Sequence, residues 1–100
     1  MNILLLSASP VICNLIRNIL STDNITVSSN SNGEVSSLTN MIMVDESLFV
    51  PNLCKKNIPV VLLSSGNLES INQEARVLGA RVLMKPFTRD QLIETVNQIQ

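Results

Sequence analysis

Three residues of this 100-residue chain have the types and the placement to do chemistry together: Asp45, Ser64 and Lys85. Each stands where a run of apolar residues stops. A carboxylate, a small hydroxyl and an ammonium are the parts needed to form an acyl phosphate: nucleophile, hydrogen-bond donor and counter-charge. The same types admit a plainer reading, in which Asp45 caps the next short helix and Lys85 is its ion-pair partner. Residue types alone leave both open.

Composition narrows the remaining chemistry. With no His, Trp or Tyr, the chain has no histidine base, no Ser-His-Asp triad and no histidine-ligated metal, and only Phe49 and Phe87 could stack on bases. Seven Lys and Arg against eight Asp and Glu give a net charge of −1, so no general pull toward nucleic acid or an anionic membrane is expected. Charged residues are 15% of the chain and hydrophobic ones 45%, against roughly 25% charged in an ordinary soluble domain. An apolar interior with a mostly uncharged surface is expected. Two cysteines, Cys13 and Cys54, are too few for a disulfide scaffold and fit a reducing cytoplasm. No apolar run approaches the roughly 18 residues of a membrane span, and the start lacks the basic region of a secretory signal. The expectation is one cytoplasmic domain over residues 1–100.

The elements that must position the three residues follow from the apolar pattern. Ile3-Leu4-Leu5-Leu6 shows no alternation, as expected of a strand buried on both faces of a parallel sheet. Ser9 can cap a helix with Pro10 at its first position, and Ile12, Leu15, Ile16, Ile19 and Leu20 repeat at helical spacing to about Ser21. Ile25-Thr26-Val27 reads as a second strand and Asn30 to Gly33 as a polar turn. Val35 and Leu38 offer at most a short helix. Met41-Ile42-Met43-Val44 is a third strand, ending on Asp45. Leu48 to Lys56 has room for one or two helical turns, limited by Pro51. Val60 to Leu63 is a fourth strand, running into Ser64-Ser65-Gly66. Leu68, Ile71, Ala75 and Leu78 mark a helix that stops at Gly79. Val82-Leu83-Met84 is the fifth strand. Thr88 and Gln91 then form a capping box for a last helix with Leu92, Ile93, Val96 and Ile99 inward. Strands alternating with helices argue for a parallel sheet covered on both faces, with functional groups at the carboxyl ends of the strands.

In the order and spacing of these residues the chain resembles, over its whole length, the receiver domain of two-component response regulators. The family's strand-three aspartate corresponds to Asp45, its strand-four Thr or Ser to Ser64, and its strand-five Lys-Pro pair to Lys85-Pro86. The segment from Gly79-Ala80 to Lys85-Pro86-Phe87-Thr88 looks typical of the family, and Leu15 to Leu20 resembles its first helix. The resemblance implies an α/β, flavodoxin-like fold: a doubly wound five-stranded parallel sheet in the order 2-1-3-4-5, flanked by helices on both faces. The middle helices are expected to be shortened, because the segment from Asp45 to Pro59 is briefer than the family's connection. A bacterial signalling protein, not an enzyme, is implied.

The departures bear on function. Receivers hold Mg²⁺ with two acidic residues at the end of strand one, and here those positions read Ser7 and Ala8. Asp45 and Lys85 cancel, whereas the family's three carboxylates and one lysine leave a deficit that a divalent cation neutralises. Mg²⁺ binding is therefore expected to be weak or absent and no cofactor is expected, while a phosphoryl group would add about −1.5 to −2 of charge that Lys85 alone cannot offset. Strand alternation would turn Glu46 away from Asp45 if the strand continues through it. A direct, partly buried Asp45–Lys85 ion pair is expected instead. The family's aromatic switch position falls on Val82, so the ring is missing.

The reading carried forward is a degenerate receiver that binds a protein partner without phosphorylation. Its expected interaction face is the family's fourth helix, fifth strand and fifth helix, where Arg76, Arg81, Arg89, Asp90 and Glu94 supply mixed charge and a homodimer could form. A functional receiver phosphorylated on Asp45 is the nearest alternative. A phosphotransfer enzyme of the sugar-transport type is another, although it needs a cysteine in the loop after strand one, and Cys13 falls inside the helix. A nucleotide site is disfavoured by the lack of a glycine-rich first loop.

Overall fold

The computed structural model describes residues 1–22, 24–30, 34–66 and 69–99. Five strands, β1 (Asn2–Leu6), β2 (Thr26–Asn30), β3 (Met41–Asp45), β4 (Val60–Ser64) and β5 (Arg81–Met84), form one sheet in the order β2-β1-β3-β4-β5. Every neighbouring pair is parallel. The helices are α1 (Pro10–Leu20), α2 (Glu69–Val77) and α3 (Arg89–Ile99). This is the expected flavodoxin-like architecture.

Alternation within apolar strands builds two cores. Ile3 and Leu5 of β1, Met41 and Met43 of β3, and Val61 and Leu63 of β4 face one side, where they meet Ile16 and Leu20 of α1 and Leu92 and Val96 of α3. Leu4, Leu6, Ile42, Val44, Val60 and Leu62 face the other, against Leu53, Ala75 and Ala80. A strand with apolar residues at every position is thereby buried twice over, which is why the sequence shows no period of two. The central strands are sealed and the edges are not: β2 and β5 keep exposed residues at both of their ends or along their length.

Local signals act as the sequence suggests. The Ser9 hydroxyl accepts from the Ile12 N–H at 3.4 Å, ahead of Pro10. Thr88 N–H donates to Gln91 Oε1 at 2.8 Å while Gln91 N–H donates to Thr88 Oγ1 at 3.1 Å, a reciprocal capping box. Gly79 ends α2 at φ +91°, a conformation that L side chains rarely adopt.

Several expectations change in detail. β2 starts after Ile25, which makes an isolated bridge to Thr22, and runs on through Ser28 to Asn30 because backbone pairing with Leu4 to Leu6 continues there. Polar residues suffice on an edge strand that only one neighbour holds. Of the expected polar turn, residues 31–33 lie outside the described residues, as does Leu68 of the α2 stripe. Val35 to Leu38 forms no helix. Between β3 and β4 two 3-10 turns, Glu46–Leu48 and Pro51–Lys55, replace a helix, so the middle elements are indeed shortened. Leu15 is 43% exposed, because Ile16 and Leu20 already fill the α1 contact.

Candidate functional site

The carboxyl ends of β1, β3, β4 and β5 bring Ser7, Asp45, Ser64 and Lys85 to one edge of the sheet. Lys85 Nζ lies 3.0 Å from Asp45 Oδ1, with the lysine side chain 24% and the aspartate 13% exposed. Parallel pairing sets this reach: Asp45 sits opposite Leu63 and Ser64 opposite Met84, so Lys85 follows one residue beyond the paired stretch. The Lys85 N–H also donates to the Ser64 carbonyl at 2.6 Å, and the Lys85–Pro86 peptide is cis.

The second Asp45 oxygen is taken as well. The buried Ser7 hydroxyl donates to Asp45 Oδ2 at 3.5 Å and accepts from the Ser9 N–H at 3.2 Å. Ala8, the other position expected to be acidic in a receiver, is exposed and carries no donor or acceptor in its side chain. Asp45 stands at the N-cap of the first 3-10 turn, yet its side chain makes no cap bond. Of the plainer reading, the ion pair is present and the cap is not.

Two expectations about this edge need correction. Strand β3 stops at Asp45, so alternation does not carry Glu46 away; the 3-10 turn redirects its carboxylate to β4. Ser64 Oγ donates to Glu46 Oε2 at 3.3 Å, and Ser65 Oγ donates to Glu46 Oε1 in a short contact. The fully buried Ser64 hydroxyl therefore serves Glu46, and accepts from the Gly66 N–H at 3.0 Å, rather than acting as a hydrogen-bond donor alongside Asp45 and Lys85. Sequence reasoning did not place Glu46 in the site. The available signal was Ser65, a second hydroxyl beside Ser64 to which the sequence assigned no task.

Hydrogen bonds from Ser65 hold the Glu46 carboxyl below its ordinary value of 4.5, against the opposing effect of burial, with Ser64 and the Lys85 charge adding to the lowering. All four carboxylate oxygens of Asp45 and Glu46 thus accept from a side-chain donor of this chain. Among the described residues no three His, Cys, Asp or Glu side chains converge on a metal position. A hexacoordinate Mg²⁺, which needs oxygens free to face it, does not match a set of two carboxylates whose oxygens already accept hydrogen bonds from one lysine and three serine hydroxyls.

The remaining candidates are dispersed. Val82 packs, partly buried, into the core layer beneath α2. Arg76 pairs with Glu69 at 3.6 Å on the exposed side of α2. Arg81 Nη1 donates to Gln98 Oε1 at 2.7 Å, and Gln98 Nε2 donates to Glu94 Oε1 at 3.2 Å, tying β5 to α3. Asp90 lies in the first turn of α3, four residues before Glu94. Arg89 instead lines the groove between α1 and α3, beside Ile19 and Ile93, so it leaves the face expected for it. Helical geometry separates neighbours 89 and 90 by about 100°. Cys13 sits in α1, its thiol 3.8 Å from the Ser7 carbonyl that it donates to. Cys54 is likewise free, its thiol pushed up by burial and by Glu74.

Known structures of the same shape are receivers. The response regulator receiver protein from Pseudoalteromonas atlantica superposes with a TM-score of 0.84 at 17% identity, covering 99% of this chain and 96% of that one. Chemotaxis protein CheY4 of Vibrio cholerae gives 0.80 at 20% identity, with 99% and 98% covered. The ChxR receiver domain from Chlamydia trachomatis gives 0.78 at 14%, with 97% and 93% covered. Identities this low establish the receiver fold alone. No protein-family profile matches the sequence, and no curated protein does.

The lowered Glu46 pKa has a defined sign. Its contribution to stability is complete above 4.5 and is lost as pH falls through the depressed folded-state value. Thermal unfolding followed below pH 4.5 should show a steeper fall in Tm for the parent than for Glu46→Gln. Parallel curves for the two proteins would mean that the carboxylate is not held by Ser64 and Ser65.

Proposed function

We propose that this chain is a receiver-type signalling module that acts by binding a protein, without phosphorylation of Asp45. The observation that carries the reading is the closure of the site: the two oxygens of Asp45 face Lys85 and Ser7, and those of Glu46 face Ser64 and Ser65. Acyl phosphate formation requires a free Asp45 oxygen as nucleophile and compensation for the charge of the incoming group. In this chain the nucleophile is neutralised in advance, and Ser7 and Ala8 supply no charge to hold a cation. Val82, an aliphatic residue packed in the core layer, offers no ring to report a change at the site.

One observation favours the alternative of a phospho-accepting receiver. Glu46 comes to the same edge as Asp45 and feels the Lys85 charge, so the edge holds a second acid where the sequence suggested one. A phosphotransfer enzyme gains no comparable support, because Cys13 lies in α1 and not in the loop before it. The partner is expected on the face of α2, β5 and α3, where Arg81, Gln98 and Glu94 join strand to helix, Arg76 and Asp90 add charge, and a second copy of the chain could dock. No helix among the described residues is long and apolar enough to cross a membrane. The setting proposed is the bacterial cytoplasm.

Incubation with Mg²⁺ and acetyl phosphate, followed by intact mass, tests the proposal. The parent chain should gain no phosphoryl group, whereas the double variant Ser7→Asp with Ala8→Asp, which restores the acidic pair, should gain one. An adduct on the parent that disappears in Asp45→Ala would establish the phospho-accepting alternative. Sedimentation velocity at high micromolar concentration reads the dimer: a concentration-dependent shift is expected, and a single monomer boundary would remove the homodimer from the proposal.

A further inference from the structure

A cleft of about 400 Å³ opens between α1 and the carboxyl end of β2, with Ser7 at its inner end. It lies on the opposite flank of the sheet from Lys85, and neither Asp45 nor Lys85 lines it. In open α/β sheets small molecules settle outside the carboxyl ends of the strands, and a volume of this order accommodates one. The cleft is therefore in a place, and of a size, to hold a ligand.

Its one charged side chain is Arg17. Arg17 Nη2 donates to Ser29 Oγ at 2.8 Å, which lays the guanidinium across from the helix to the strand instead of leaving it extended into water. A neutral hydroxyl orients the charge without cancelling it. Among the described residues no carboxylate pairs with Arg17, and no acid lines the cleft, so the rest of the planar donor fork is open. Asn14 precedes Arg17 by three residues, a spacing that puts both on one helix face, and adds an amide to the same lining. Pro10 and Cys13, whose thiol is turned to the Ser7 carbonyl, form the less polar wall.

We propose that this cleft binds a small organic molecule carrying a single carboxylate, with Arg17 holding the carboxylate and Asn14 and Ser29 taking neutral polar groups beside it. Charge decides between anions. A carboxylate brings −1, which the guanidinium matches, and its two oxygens fit the planar fork. A phosphoryl group brings about −1.5 to −2, and no second cation lines the cleft to meet the excess. Ser7 connects the cleft to the sheet edge, because the same residue donates its hydroxyl to Asp45 Oδ2. Binding here does not depend on whether Asp45 takes a phosphoryl group.

Titration of the full chain with sodium lactate, lactamide and inorganic phosphate, each followed by ¹H–¹⁵N spectra, tests the proposal. Lactate should give saturable shifts at Asn14, Arg17 and Ser29 in the millimolar range, and lactamide, which has the same size without the charge, should give none. Arg17→Gln should weaken lactate binding roughly tenfold or more, the loss expected for a charge-assisted hydrogen bond. Arg17→Lys, which keeps the charge and loses the fork, should fall between Arg17→Gln and the parent, so a folding failure of one variant leaves the other to decide. Lys55→Gln, in the second 3-10 turn, should bind as the parent does. No saturable response to lactate, an equal response to lactamide, tighter binding of phosphate than of lactate, or full binding by a folded Arg17→Gln would each overturn the proposal.

Discussion

The contact between Lys85 Nζ and Asp45 Oδ1 is the interaction on which the arrangement of the site turns. It spans β4, joining the end of a central strand to the end of an edge strand, and both charges are largely removed from water. Half-buried charges of this kind are stable only as a pair, since removal of either strands the other. The pair also determines what the edge can attract. The lysine charge balances Asp45, the Ser7 hydroxyl donates to its second oxygen, and Glu46 is left as the carboxylate of this edge held by hydroxyls alone.

A second unit stands beside the first. Glu46, redirected by a 3-10 turn, gathers Ser64 and Ser65 and thereby joins the β3 end to the loop before α2. The two units divide the polar groups of the edge between them, with the Lys85 charge acting on both. The result is a set of hydroxyls and one ammonium turned inward on two carboxylates. A receiver fold built in this way keeps the scaffold, whose two cores are made by apolar strands, three amphipathic helices and Leu53 of the second 3-10 turn, while each carboxylate oxygen of the edge accepts a hydrogen bond from within the chain.

The scaffold was legible because the physics that makes it is local or periodic. Runs such as Ile3 to Leu6 and Val60 to Leu63 have one stable use, between two layers of helices, and Ser9-Pro10 and Thr88 with Gln91 cap by short-range bonds. The ion pair was legible from charge balance. Glu46 was not, because its direction depends on where β3 ends, and a boundary shift of one residue reverses a side chain. Arg89 was misplaced for a similar reason: adjacent residues on α3 point to different flanks. The end of β2 was hidden because Ser28-Ser29-Asn30 has turn-like composition, and it is held by backbone pairing with β1 together with side-chain bonds from Arg17 to Ser29 and from Asn30 to the Glu34 carbonyl.

Titration with Mg²⁺ followed by ¹H–¹⁵N spectra tests the closed-site account most directly, because it asks the edge itself whether a cation displaces the internal donors. Amide signals of Ser7, Ala8, Asp45, Glu46 and Lys85 should show no saturable shift through millimolar concentrations. A saturable change confined to those residues, competing with the Lys85 contact, would contradict it.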